Sequence, residues 1–180
     1  MDIPLFSYDS ILTMFHGLGS GGGALLTLFA ALFALWTMRT DGTVDAGVER
    51  RSRNLRWLIV LAALLVWGAV IGGTYLVFPP YRATPPEGLT DLSGYPRSLI
   101  QSNPDTAWLH SFAMETKEHV PWIAAMLTTA VAFVAVRYKS LLLSDRGINR
   151  MATIAVTVCL VLAACAALLG TFVNKVAPLE

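Results

Sequence analysis

The sequence of 180 residues contains little charge: only 14% of its residues are Asp, Glu, Lys or Arg, whereas soluble domains usually carry about 25%. Apolar residues make up 55% of the chain, and the mean hydropathy is +0.59. The formal net charge of +1 gives no basic field that would favour a nucleic-acid partner. This composition predicts an integral membrane protein.

Cysteine, histidine and the common catalytic motifs are also scarce. Cys159 and Cys165 stand in one apolar run on different helical faces, so they are interpreted as small apolar residues and not as a disulfide or metal pair. The chain has no nucleophile elbow, P-loop or Cys-x-x-Cys pair. Residues 1–6 carry no basic segment ahead of the first apolar run, so no removable signal peptide is expected.

Four apolar runs are long enough to cross a hydrocarbon core of about 30 Å, which takes roughly 20 helical residues. They cover approximately residues 11–38, 57–78, 108–136 and 151–174. Helices satisfy every backbone hydrogen bond without water, which makes them the expected structure for such runs. The sequence therefore predicts an all-α, four-helix membrane bundle that forms a single transmembrane domain over residues 1–180.

The basic residues are distributed unequally between the connections. Nine of the thirteen lie between the first and second runs or between the third and fourth. The other four are Arg82, Arg97, Lys117 and Lys175. The positive-inside rule then places both termini and the long connection, residues 79–107, on the extracytoplasmic side of the cell membrane. That connection is either a lid or docking surface or a plain connector.

Ionisable side chains inside an apolar run are expensive and indicate a functional site. The stretch from Trp108 to Trp122 holds several of them within the third run. At 1.5 Å per residue from the inner arginines, His16 stands about 34 Å up the first helix and His119 about 27 Å up the third. The two histidines are therefore predicted to share a layer in the outer leaflet.

Helical angles suggest which side chains point into this layer. On the third helix, the carboxylates and His119 share one face, while His110 and Lys117 point the other way. On the first helix, His16 stands above glycines, a groove that either admits another helix or makes room for a flat molecule. The predicted site residues are His16, Gly19, Gly23, Glu115, Glu118, His119 and Trp122.

Two imidazoles from different helices, packed beside glycines, suit a haem b with His16 and His119 as its iron ligands. A histidine, a carboxylate and aromatic rings suit a quinone instead. In helix number and histidine placement, the chain resembles the small four-helix cytochrome b-type, quinone-facing membrane subunits of respiratory oxidoreductases. The resemblance implies a subunit of an electron-transfer complex that carries electrons through haem b or quinone and contacts other subunits and an extracytoplasmic redox protein.

Two alternatives stay open on the same residues. Glu115, Glu118 and His119, with His16 as a fourth group, could bind a non-haem metal ion or relay protons. The cluster could instead be a buried polar network, with Lys117 reaching outward, in a non-catalytic structural or assembly subunit of a larger complex. An independent transporter is not favoured, because four helices without a visible inverted repeat are few for alternating access.

Overall fold

The computed structural model describes residues 7–40 and 44–179, and these contain helices and connecting segments but no strand. Four long helices are long and apolar enough to cross a membrane: α1 (Tyr8–Thr37), α2 (Ala46–Tyr81), α3 (Leu109–Tyr138) and α4 (Arg146–Val176). They confirm the predicted all-α architecture with four helices of membrane-spanning length and apolarity. Residues 1–6, to which the signal-peptide prediction refers, lie outside the described residues.

The α2 helix begins eleven residues before the apolar run predicted from the sequence. The Asp45 side chain accepts a hydrogen bond from the backbone N–H of Val48 at 2.7 Å and caps the helix. Val48, Ser52 and Leu55 then recur at helical spacing and are buried, while the charged residues between them face outward. Counting apolar residues finds only the membrane part of such a helix, because its first three turns are amphipathic.

Each long helix packs against the next in the chain, and α4 closes the ring by packing against α1. The buried positions are rich in alanine, which lets helix backbones approach closely where lipid removes the hydrophobic drive for association. Examples are Ala24, Ala31, Ala62, Ala124, Ala125, Ala135 and Ala152. Many large apolar side chains face outward, as Trp36 does with 77% of its surface exposed.

Polar contacts fasten one end of the bundle, which we call the arginine end. It carries Arg39, Arg56, Arg137 and Arg150. Asn149 is buried there and donates from Nδ2 to the carbonyls of Leu35 and Leu142, at 3.1 and 3.0 Å. The Ser52 hydroxyl donates to the Lys139 carbonyl at 2.6 Å. These bonds tie α1, α2 and α4 to the segment between α3 and α4, which includes a short helix, Leu141–Ser144.

At the opposite end, which we call the loop end, the connection 82–108 packs onto the helices. It contains a short helix, Pro96–Ser102, whose Ile100 is completely buried among side chains of α2, α3 and α4. The Thr106 hydroxyl donates to the Ile100 carbonyl at 2.8 Å. In an exposed turn of this connection, the backbone N–H of Ser93 donates to Asp91 and lowers the pKa of that carboxyl. The part of the connection around Pro96–Ser102 therefore packs on the loop end, and we call the whole connection the cover.

Candidate functional site

Three of the four long helices change to π-helical geometry near the loop end. The π-helical segments are Phe15–Gly22 in α1, Gly73–Val77 in α2 and Leu109–Met114 in α3, whereas α4 is α-helical throughout. A π-helical turn contains an extra residue, so it is wider and turns side chains away from their α-helical directions. Such turns are rare and often mark functional sites, so the loop end is a candidate location for one.

His16 lies in the π-helical segment of α1 and packs against Gly73, the first residue of the segment in α2. A methyl group built on Gly73 would stand 2.7 Å from Cε1 of His16, closer than real Cβ contacts come, and 3.3 Å from Nε2. The imidazole therefore occupies the space that a side chain at position 73 would fill. The ring has the backbone carbonyl of Ala69 as a hydrogen-bond acceptor, but its buried Nδ1 has no partner within the part of the chain that the structure describes.

Lys117 reaches from α3 to α4, where its side chain ends against Gly170. A methyl group built on Gly170 would stand 2.7 Å from Nζ and 3.1 Å from Cε of Lys117. The lysine is also near enough to His16 for their charges to interact. A partly buried ammonium inside a membrane-spanning bundle is expensive, so its presence indicates function.

These four residues lie at nearly one depth, although each comes from a different helix. His16 and Lys117 stand eight residues from the first residues of α1 and α3, and Gly73 stands eight residues before the last residue of α2. Gly170 is six residues from the end of α4, so all four lie roughly 9–12 Å inside the loop end. We call the set of His16, Gly73, Lys117 and Gly170 the His16–Lys117 layer.

The side-chain directions predicted for Lys117 and His119 on α3 were wrong. Lys117, expected to point outward, faces Gly170 and the bundle interior. His119, expected to point inward, is exposed, and its Nδ1 is hydrogen-bonded at 2.8 Å to the carbonyl of Glu115, one turn earlier on the same helix. Glu115 is exposed as well, whereas Glu118 is partly buried.

The observed direction of His119 places its imidazole away from that of His16. The haem prediction requires the two imidazoles to face each other. The Lys117 side chain ends against Gly170 of α4, and His119 is rotated about 200° from Lys117 around α3. The imidazole of His119 therefore lies on the outer side of the helix while His16 lies inside the bundle. Because the structure places the two imidazoles apart, a haem b held by His16 and His119 stays a prediction of the sequence.

Three other residues predicted for the site, Gly23, Gly19 and Trp122, lie outside the His16–Lys117 layer. Gly23 packs against Leu65 of α2, and a methyl group there would meet Cδ1 at 3.2 Å, so this glycine permits close helix approach. Gly19 is exposed and is not the glycine beneath His16. The Trp122 ring meets that of Trp67 edge to face, with centroids 5.8 Å apart, and joins α3 to α2.

A second polar group lies between the His16–Lys117 layer and the cover. The hydroxyl of Tyr81, at the end of α2, is hydrogen-bonded to Nδ1 of His110 on α3 at 3.0 Å. Tyr81 is buried, and the charges of Arg97, Glu115 and Glu118 act on both members of the pair. We call this pair the Tyr81–His110 pair; it links α2 and α3 at the loop end.

Compared with protein-family models, curated proteins and solved structures, the chain finds no match in any of the three. Its chemistry must follow from its own residues. Among residues 7–40 and 44–179, no three His, Cys, Asp or Glu side chains converge in a way that could hold a metal ion. Cys159 is a buried free thiol, and Cys165 is an exposed one.

The sequence did carry a signal for the direction of Lys117. Ala124, Thr128, Val131 and Ala135 follow it at spacings of 7, 11, 14 and 18, and all four are buried. These spacings place Lys117 on the same helical face as the small residues that line the interior. Gly73 and Gly170 had no comparable signal, because only the packed bundle shows which glycine lies opposite which side chain.

Proposed function

We propose that the chain is a quinone-binding membrane subunit of a respiratory or other electron-transfer complex, with the His16–Lys117 layer as its quinone site. The observation that carries the proposal is the buried, unpartnered Nδ1 of His16 at the same depth as the Lys117 ammonium. A quinone ring is flat and apolar, and its two oxygens need hydrogen-bond donors in a site of this kind. A histidine and a lysine inside an apolar bundle supply them.

The two side chains have different chemical roles in this proposal. Reduction of a quinone to a quinol takes up two electrons and two protons, and the electrons come from a redox partner outside this chain. The Lys117 ammonium stabilises the negative charge that develops on a quinone oxygen as electrons arrive. The imidazole of His16 exchanges a proton with the other quinone oxygen as general acid and base.

The distribution of basic residues supports an orientation for this site. The arginine end faces the cytoplasm by the positive-inside rule, which puts the loop end, both termini and the cover on the extracytoplasmic side of the cell membrane. The quinone site then lies in the outer leaflet. An extracytoplasmic redox protein would approach the cover formed by residues 82–108.

Binding of a short-chain ubiquinone to the full chain in lipid nanodiscs, followed by tryptophan fluorescence, tests the role of Lys117. The Lys117→Met variant should bind it about 10- to 100-fold more weakly, because a hydrogen bond from a charged group contributes about 1.5–3 kcal/mol. Lys175→Met is the matched control, since Lys175 is an exposed lysine in the last turn of α4. Equal affinities of the two variants would refute the assignment.

A histidine pair provides the second arm of the same experiment. His16→Gln should weaken quinone binding, whereas His119→Gln should leave it unchanged, because His119 is exposed on the outer side of α3. Equal losses in both variants would mean that the binding site is not the His16–Lys117 layer. Absence of saturable binding to the unmodified chain, alone and in the native membrane, would overturn the proposal.

A second candidate function is that of a structural or assembly subunit in a larger membrane complex. It is favoured by Glu115 and His119, both exposed on α3 at about 9 and 15 Å from the first residue of that helix. Polar side chains that face lipid are expensive, so a helix of another protein is their favourable neighbour. A photo-crosslinking residue at position 119 should yield protein adducts, and one at Phe29, on the exposed surface of α1, should yield lipid adducts. Lipid adducts alone at both positions would exclude this function for that surface.

A further inference from the structure

A groove of about 330 Å³ opens between the end of α1 and the first turns of α2, at the arginine end. It is far from the loop end and has no part in the proposed quinone chemistry. Its lining residues are Ala34, Met38, Arg51, Asn54, Leu55 and Leu58.

The polar and apolar parts of the groove are separated along the helix axis. Arg51, Asn54, Leu55 and Leu58 have the spacing i, i+3, i+4, i+7, so they form one face of α2 opposite α1. Arg51 and Asn54 are exposed at the outer mouth, before the apolar run that starts near position 57. Leu55 and Leu58 continue the wall toward the membrane interior, where Ala34 faces them from α1. A ligand that fits must be polar at one end and apolar at the other.

The charge at the mouth specifies an anionic polar end. Arg51 donates from Nε to the Gly47 carbonyl at 3.4 Å, which holds the guanidinium along the helix. Its remaining N–H groups suit the oxygens of a phosphate. Three further arginines, at positions 50, 53 and 56, lie within five residues of it, and they outnumber the nearby carboxylates of Asp45 and Glu49.

We propose that this groove binds one anionic phospholipid, with the headgroup phosphate at Arg51 and Asn54 and an acyl chain along Leu55, Leu58 and Ala34. Basic pockets between membrane helices recognise anionic headgroups in this way. Free phosphate would match the mouth but leave the apolar wall without a ligand, and a zwitterionic lipid would gain less from the surrounding arginines. The shape and the charge together therefore select the anionic lipid.

Native mass spectrometry of the delipidated full chain, titrated with phosphatidylglycerol or with phosphatidylcholine of the same acyl chains, tests the proposal. The unmodified chain should bind phosphatidylglycerol more tightly. Arg51→Gln should lower its apparent affinity by roughly fivefold, the equivalent of about 1 kcal/mol for one basic residue near an anionic lipid. Arg53→Gln is the matched control: Arg53 is exposed on the same helix, about 200° away from Arg51, and does not line the groove.

Two further measurements separate the lipid from a simple phosphate site. Leu58→Gln should also weaken phosphatidylglycerol binding, because it places a polar group beside the acyl chain, and inorganic phosphate should fail to displace the lipid. Equal binding of the two lipids, or equal effects of Arg51→Gln and Arg53→Gln, would overturn the proposal. Displacement by inorganic phosphate would overturn it as well, since the site would then recognise the phosphate alone.

Discussion

Replacing Gly73 with alanine should destabilise the protein, while the same change at the neighbouring Gly72 should not. A methyl group on Gly73 would stand 2.7 Å from Cε1 of His16, and one on Gly72 would meet nothing within 4 Å. Both glycines lie in α2, so both substitutions gain the same helix propensity, about 0.5–1 kcal/mol for Gly to Ala. Their difference therefore isolates the contact with His16.

The size of the stability difference between the two variants follows from the steric overlap of the methyl group with the imidazole of His16. The methyl group on Gly73 would be several tenths of an ångström too close to the ring, so the imidazole must rotate or α1 must move away. Overpacking of this kind costs about 1–3 kcal/mol. We expect Gly72→Ala to leave the free energy of unfolding unchanged or to raise it. The free energy of unfolding of Gly73→Ala should be about 1–3 kcal/mol lower than that of Gly72→Ala.

Denaturation with SDS, followed by tryptophan fluorescence of the purified chain in mixed micelles, measures both free energies of unfolding. The His16→Ala background supplies the control, because there the methyl group on Gly73 has no ring to meet and the two alanine variants should become equivalent. If Gly73→Ala and Gly72→Ala are equally stable when His16 is present, His16 does not occupy the space beside Gly73, and the assigned site geometry is wrong.

Three further substitutions probe other contacts of the bundle. Gly170→Ala would bring a methyl group to 2.7 Å from Nζ of Lys117 and displace this flexible side chain, so amine-reactive labelling of Lys117, measured by mass spectrometry, should rise; unchanged labelling would contradict its position. Ile100→Ala should cost about 2–5 kcal/mol in the same SDS assay, because Ile100 is completely buried beneath the cover. A loss near zero would mean that the cover does not pack. Asn149→Ala removes hydrogen bonds to two backbone carbonyls at the arginine end and should cost about 1–3 kcal/mol, and a neutral result would show that these bonds do not fasten the helices.

The residues of α3 show where reasoning from sequence succeeded and where it failed. The helix itself was predictable, because its length and apolarity fit the hydrocarbon core of a membrane. The rotation of α3 about its own axis was not predicted correctly, because the face that carries charged and aromatic residues was taken as the interior face. In lipid, large apolar side chains can face outward at no cost, and Ile123, Met126 and Phe133 do so on the side of His119. The small residues that follow Lys117 on the same helical face indicate the interior side of α3 correctly.

The amino-acid sequence by itself determined that four helices form and how long their membrane parts are, since hydrophobic length and backbone hydrogen bonding depend only on local composition. It also placed ionisable groups near one end of the bundle. Only the tertiary structure decided which of them meet: His16 lies against Gly73 and Lys117 against Gly170. That pairing depends on how four helices are rotated against one another, and on three π-helical segments that alter those rotations near the loop end. Rotation is set by packing between helices distant in sequence, so no single stretch of the chain encodes it.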